Sequence, residues 1–220
     1  DLEKINGRYA PSLKLGRHDL AVTLTSTNAR AASINLERLL SLPSEEFTYT
    51  AETADDFDEK SYPTDKILRL KQGAQVMMIK NDPNKRWVNG SLGIVENLAR
   101  DTITISFDGI HQRIEQSTWE KLEYEYDREN GLIEPFVTGS FRQYPIKLAW
   151  AITIHKSQGK TFSKVIIDLG RGAFAHGQAY VALSRCRTFD GIFLKTPFRP
   201  SDIIVDPRIK EWQKKGDYSA

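Results

Sequence analysis

A single cysteine, Cys186, among 220 residues excludes an internal disulfide framework and leaves no paired thiolates for a structural zinc. The four histidines, His18, His111, His155 and His176, are scattered without zinc-ligand spacing, so no metal held by protein side chains is expected. Long apolar runs are also missing. No stretch reaches the roughly 18 residues of a membrane helix, and the opening Asp1-Leu2-Glu3-Lys4 lacks the basic-then-apolar layout of a signal peptide. The expected setting is soluble and away from membranes: cytoplasmic, or nuclear or mitochondrial in a eukaryote. Charge of one sign is scarce as well. Thirty-one Lys and Arg stand against 29 Asp and Glu, and a net +2 does not by itself argue for nucleic acid. What is present, 40% hydrophobic and 27% charged residues, is globular composition, enough for one large domain or a domain carrying an insertion.

The first 15 residues are polar, with Asn6-Gly7 and Pro11-Ser12 as turn signals, and read as an irregular connector arriving from an upstream domain. Ala21 to Ser26 has the β-branched pattern of a strand. Thr27-Asn28 then offers helix caps, followed by Ala32, Leu36, Leu39 and Leu40 at helical spacing. Thr50 to Asp65 is acidic and unpatterned, a solvated loop. From Lys71 to Tyr144 come short strands broken by Asn89-Gly90 and Asp108-Gly109, at 75–80, 93–98, 102–107 and 112–116, the spacing of a small antiparallel β-barrel. Ile146 to Ile154 predicts one buried strand, Lys164 to Leu169 and Ile192 to Lys195 two more, and Phe174 to Arg185 a helix. The fold class is therefore α/β, interrupted by a β unit and resumed.

Thr153-Ile154-His155-Lys156-Ser157-Gln158-Gly159-Lys160-Thr161 leaves a buried strand and enters a turn. It sets cations, hydroxyls and backbone amides at the carboxyl end of a strand, where open α/β sheets bind ligands. Such groups hold phosphate oxygens of a nucleic-acid backbone or a nucleotide; they are also ordinary loop residues. Gly159-Lys160-Thr161 copies the end of a P-loop, but the first glycine of G-x-x-x-x-G-K-[ST] would fall at Ile154. No other segment supplies that motif, and no apolar strand ends in the acidic pair that holds magnesium, so a complete NTPase site is absent. Further on, Ala179 to Arg187 reads as a helix that packs on the sheet and ends near Arg185 and Arg187. An arginine so placed serves either as a projecting phosphate ligand or as a partner for the helix dipole.

Taken together, Thr27-Asn28 with Asn35, Leu70 to Met77, Trp87-Val88-Asn89-Gly90 with Gly93, Leu148 to Ala151, Thr153 to Gly159 and Tyr180 to Arg185 resemble, in order and spacing, the C-terminal motor half of superfamily 1 DNA helicases of the Pif-like and RecD-like branch. The resemblance implies a RecA-like second motor domain of P-loop-NTPase type without Walker A, over 16–71 and 145–220. It implies a Src-homology-3-like barrel inserted at 72–144, and 1–15 as connector from an N-terminal RecA-like domain in cis. By the same resemblance Thr27, Asn28, Thr153, His155, Lys156, Ser157 and Gln158 bind single-stranded DNA. Gln158, Gly159, Thr161 and Arg185 face the nucleotide, and Arg185 is the catalytic arginine finger. ATP and Mg2+ are held mainly by the N-terminal domain, so this chain alone is expected to be inactive. A monomer is expected, and movement is 5′ to 3′. Trp87 and Trp150 offer stacking faces for bases, although Trp150 reads as core. His18, His111 and His176 read as surface or structural residues. The rival reading is a non-catalytic helicase-like module that binds nucleic acid or docks a partner.

Overall fold

The computed structural model describes residues 2–13, 16, 19–127 and 130–215, and His18 lies outside them. The chain divides into two compact units, one of residues 1–38 and 149–220, the other of residues 39–148. It opens with α1 (Leu2–Asn6), β1 (Ala21–Thr25) and α2 (Asn28–Leu40). The strands β2 (Glu46–Thr50), β3 (Glu52–Asp55), β4 (Ile67–Lys71), β5 (Gln75–Met78), β6 (Leu92–Ala99), β7 (Thr102–Phe107), β8 (Ile110–Ile114), β9 (Ser117–Asp127), β10 (Leu132–Gln143) and β11 (Ile146–Leu148) follow. After them come β12 (Ala151–Thr153), β13 (Lys164–Asp168), α3 (Gln178–Leu183), β14 (Ile192–Leu194) and α4 (Pro207–Lys215).

The first unit is built on a four-stranded parallel sheet of order β12-β1-β13-β14. Both faces of such a sheet are covered, which is why β1 and β13 read as near-continuous apolar runs. Val22, Leu24, Val165, Ile167 and Leu194 are fully or almost fully buried. Thr27 caps α2 as the sequence predicts, its Oγ1 accepting the Arg30 N–H at 3.3 Å. Of the expected apolar helix positions, Leu39 is buried while Leu36 and Leu40 are half or more exposed and Ala31, not Ala32, faces inward. Asn35 bonds the backbone of Ala151 in both directions, Nδ2 donating to its carbonyl and Oδ1 accepting its N–H, each at 2.8 Å.

The opening segment is more ordered than its composition predicts. Residues 2–6 are helical, Tyr9 bridges to Leu194, and the amides of Ala10 and Leu194 donate to the carbonyls of Leu194 and Arg8. Asn6 bonds Phe198 N and O, and the Arg8 guanidinium donates to Ile192 O while lying 5.2 Å from the Phe193 ring centroid. Polar side chains, rather than an apolar face, fasten this segment beside β14.

The second unit is all antiparallel: a five-stranded sheet of order β11-β5-β6-β7-β8, a three-stranded sheet β3-β10-β9 and a two-stranded pair β2-β4. It begins at Leu39, earlier than the 71/72 boundary expected, because β2 pairs with β4 and belongs with this unit. The acidic stretch expected as loop contains β3, which pairs with Gly139–Arg142 of β10, and a 3₁₀ turn at Glu59–Ser61 capped by Asp58. The strand expected at 146–154 is two: β11 pairs with β5 in the second unit, and β12 pairs with β1 in the first. β9 and β10 form a long ribbon that the sequence reading leaves out. On one face Leu122, Tyr124 and Tyr126 stand opposite Val137, Pro135 and Ile133, all exposed. Trp87 is buried, stacked on Phe107 at 5.7 Å between centroids, so it is a core residue and not a stacking face.

Candidate nucleic-acid and nucleotide-facing site

The site lies at the carboxyl ends of the parallel strands in the first unit. β1 and β12 end in register, Thr25 opposite Thr153. The Ile154 N–H donates to Thr25 O at 2.9 Å, carrying the ladder one residue past the strand. Buried Thr25 donates from Oγ1 to Thr27 O at 3.0 Å, which sets the turn from β1 into α2. Thr27 and Asn28 are thereby exposed beside the end of β12.

After β12 the chain makes a single 3₁₀ turn, His155–Ser157. Thr153 Oγ1 accepts the Lys156 N–H at 3.3 Å, and Ser157 donates from Oγ to Ile154 O at 2.6 Å. Thr153 and Ser157 are buried, so their hydroxyls shape the turn from within, whereas His155, Lys156 and Gln158 are exposed. Gly159 has φ +74°, the left-handed region in which an L side chain is strained, and a Cβ there would otherwise meet open space. Its glycine is required by the backbone and not by crowding.

Ile154 is 2% exposed and sits where a P-loop needs its first glycine. Nor does Lys160-Thr161 open a helix as a P-loop does. Phe162 instead bridges to Cys186, with Phe162 N donating to Arg185 O at 2.8 Å and Arg187 N to Phe162 O at 3.0 Å. That bridge brings Arg185 to the back of the same turn. The Arg185 guanidinium is half-buried and donates to Val181 O at 3.1 Å, Lys160 O at 3.2 Å and Ser184 Oγ at 2.9 Å. Burial lowers the pKa of the Lys160 ammonium beside it. The expected helix at 174–185 is shorter, Gln178–Leu183, preceded by Gly177 at φ +68°.

Thus Thr27, Asn28 and the 153–158 segment share one sheet edge, and Gln158, Gly159, Thr161 and Arg185 cluster around the turn that leaves it. Sequence reading misses Arg30 and Asp168 on this edge. Arg30 Nη2 lies 3.1 Å from Asp168 Oδ2, and Asp168 is the last residue of β13. A lone acid ending an apolar strand was the available signal. Trp150 is half-buried, its carbonyl accepting the Thr23 N–H. His111 and His176 are exposed, and His176 Nδ1 lies 3.8 Å from Asp206. Among the described residues no group of three His, Cys, Asp or Glu is placed to hold a metal, and no helix is long and apolar enough to cross a membrane.

Comparison with known proteins agrees with this architecture. The family profile described as DNA helicase Pif1, 2B domain, matches residues 59–98, inside the second unit. The ATP-dependent DNA helicase Pif1 of Bdellovibrio bacteriovorus is 39% identical over 158 residues, covering 71% of this chain and 34% of the relative. The human ATP-dependent DNA helicase PIF1 is 36% identical over 209 residues, 90% of this chain and 31% of the relative. The structure of unliganded Pif1 from Bacteroides sp. superposes with a TM-score of 0.87 at 34% identity over 100% of this chain and 50% of that one. Bacteroides Pif1 has also been solved with ADP-AlF4 and bound to single-stranded DNA. The chain spans about a third of the length of these curated relatives and about half that of the solved proteins. By sequence and fold it belongs to the Pif1-like branch of superfamily 1 DNA helicases, of which it matches a part consistent with the C-terminal half.

Proposed function

We propose that this chain is the second motor lobe of an ATP-dependent DNA helicase, binding single-stranded DNA along the carboxyl edge of β1 and β12 and completing an ATP site shared with an upstream RecA-like domain in cis. One observation carries the reading. Exposed Thr27, Asn28, His155 and Lys156 share one sheet edge, and the turn they flank is bonded from behind to Arg185. A movement of that turn is thereby tied to the position of a guanidinium, the coupling a motor needs between track and fuel.

On the DNA side Lys156 supplies a cation, and Thr27 and Asn28 supply hydroxyl and amide groups to phosphates. Thr153 and Ser157 act through the turn they hold, and Gln158 and Gly159 pass its position on toward the nucleotide. The residues here fit one wall of an ATP site and not the other, because Ile154 excludes a P-loop and, among the described residues, no strand of the parallel sheet ends in an acidic pair. ATP with Mg2+ supplies the phosphoryl group and its charge neutralisation from the upstream domain. This chain's part is Arg185, a fixed and permanently charged donor for charge that develops in transfer. Three of its five N–H donors hold Val181 O, Lys160 O and Ser184 Oγ, and the other two are the ones it would offer to phosphate oxygens. The lobe acts as a monomer in this reading, and it moves 5′ to 3′ as its family resemblance implies.

The test is single-stranded-DNA-stimulated ATP hydrolysis by the 220-residue chain with and without an upstream domain fused in frame. The chain alone is expected to stay at background while binding DNA, and the fused protein to turn over. Hydrolysis by the chain alone contradicts the reading.

A further inference from the structure

The track described above uses the ends of β1 and β12 and leaves the neighbouring end of β13 without a role. Asp168 closes β13 opposite Thr25, as Thr153 closes β12 on the other side, so three strand ends stand in a row about 5 Å apart. Asp168 is 5% exposed. Its Oδ1 accepts the Gly170 N–H at 3.0 Å, and its Oδ2 accepts Nε and Nη2 of Arg30 at 3.2 and 3.1 Å.

Arg30 sits in the first turn of α2, where Thr27 Oγ1 accepts its backbone N–H. Its side chain remains 50% exposed although its partner is buried. A guanidinium has five N–H donors. Two face Asp168, and the other three, both on Nη1 among them, have no acceptor among the described residues. The anion lies beneath and the cation on top, so the pair presents a positive, forked face to solvent despite its zero net charge. A carboxylate behind a guanidinium also fixes its plane, which lowers the entropy cost of a second bidentate contact.

We propose that Arg30, oriented by Asp168, is a further phosphodiester anchor that extends the single-stranded DNA track from β12 across β1 to the end of β13. The inference rests on the DNA-binding reading of Lys156 and its neighbours. Arg30 contacts the backbone and no base, so its contribution is independent of sequence and sensitive to salt.

The experiment is fluorescence anisotropy of a fluorescein-labelled oligo-dT with the 220-residue chain across a salt series, for wild type, Arg30→Ala, Arg30→Lys, Arg30→Gln and Lys156→Ala, each variant's melting temperature being recorded. Arg30→Ala is expected to bind several-fold more weakly and to flatten the slope of log K against log salt by about 0.7, the value for one lost single-strand phosphate contact. Arg30→Lys is expected to keep the slope and recover part of the affinity. Arg30→Gln keeps a donor toward Asp168 without the charge, and replaces Arg30→Ala should that variant fail to fold. Wild-type affinity and slope in Arg30→Ala or Arg30→Gln, with or without a lowered melting temperature, overturn the proposal. If Lys156→Ala still loses affinity in that case, the DNA-track reading stands. A wild-type chain that does not bind oligo-dT overturns both.

Discussion

The Arg185 guanidinium donates to the Lys160 carbonyl at 3.2 Å, tying the end of α3 to the turn that follows the candidate DNA-facing segment. The same side chain bonds Val181 O and Ser184 Oγ, so in the isolated chain Arg185 closes a local network. Arg185→Ala removes all three bonds at a half-buried position and is expected to lower the stability of the 220-residue chain by about 1 kcal/mol. Thermal denaturation of both proteins checks this; an unchanged melting temperature means that the network contributes nothing to the fold.

Asn35 holds both polar atoms of the Ala151 backbone at 2.8 Å. Asn35→Leu removes both bonds and leaves a backbone donor and acceptor of buried Ala151 to find other partners. The expected cost is about 2 kcal/mol, read as a lower melting temperature, with DNA binding also weakened because β12 positions Thr153 and the turn after it. A variant as stable as wild type contradicts this assignment.

In the second unit Asp82 accepts a forked pair of bonds from Arg86, Oδ1 from Nη2 at 2.7 Å and Oδ2 from Nε at 2.9 Å. That guanidinium holds the carboxyl pKa down at about 2, despite the opposing effect of burial. An acid depressed in the folded state stabilises fully above its unfolded pKa, about 3.9, and the contribution is lost as pH falls through about 2. Arg86 also lies 4.5 Å from the Trp87 ring centroid. Acid titration followed by tryptophan fluorescence is therefore expected to show a transition between about pH 4 and pH 2 that Asp82→Asn flattens. An identical titration in that variant contradicts the assignment.

Gly93 pairs with Val76 in the five-stranded sheet, and a Cβ on it would stand 2.8 Å from Ser106 O and against the Ile105 side chain. Crowding, not backbone angle, is what requires glycine here. Gly93→Ala is expected to cost about 1–3 kcal/mol by forcing β6 from β7, measured by chemical denaturation. A wild-type midpoint contradicts it.

The parallel strands were legible because burial on both faces writes continuous apolar runs such as Val165–Ile167, and α2 because Thr27 precedes it as a cap. Edge strand β3 was not, since Glu52–Asp55 is exposed throughout and owes its conformation to a partner in β10. Nor was the break at Ala149-Trp150. The apolar pattern runs unchanged from Ile146 to Ile154 while the chain passes from one sheet to another, and no local propensity records which sheet a strand joins. The alternation Leu122-Glu123-Tyr124-Glu125-Tyr126 carries the signal for β9. Within the site, residue types pointed to Thr153 and Ser157, but their inward hydroxyls become visible only with the turn itself. Arg30 and Asp168 are 138 positions apart and meet only through the register of β1 with β13.

The central claim, that one edge of this chain grips DNA while Arg185 serves a nucleotide held elsewhere, is tested most directly by DNA-stimulated ATP turnover of the chain fused in frame to an upstream RecA-like domain and carrying Arg185→Ala, at saturating oligo-dT. The account expects turnover to fall by about 10³-fold or more. Turnover within a few-fold of wild type would contradict it.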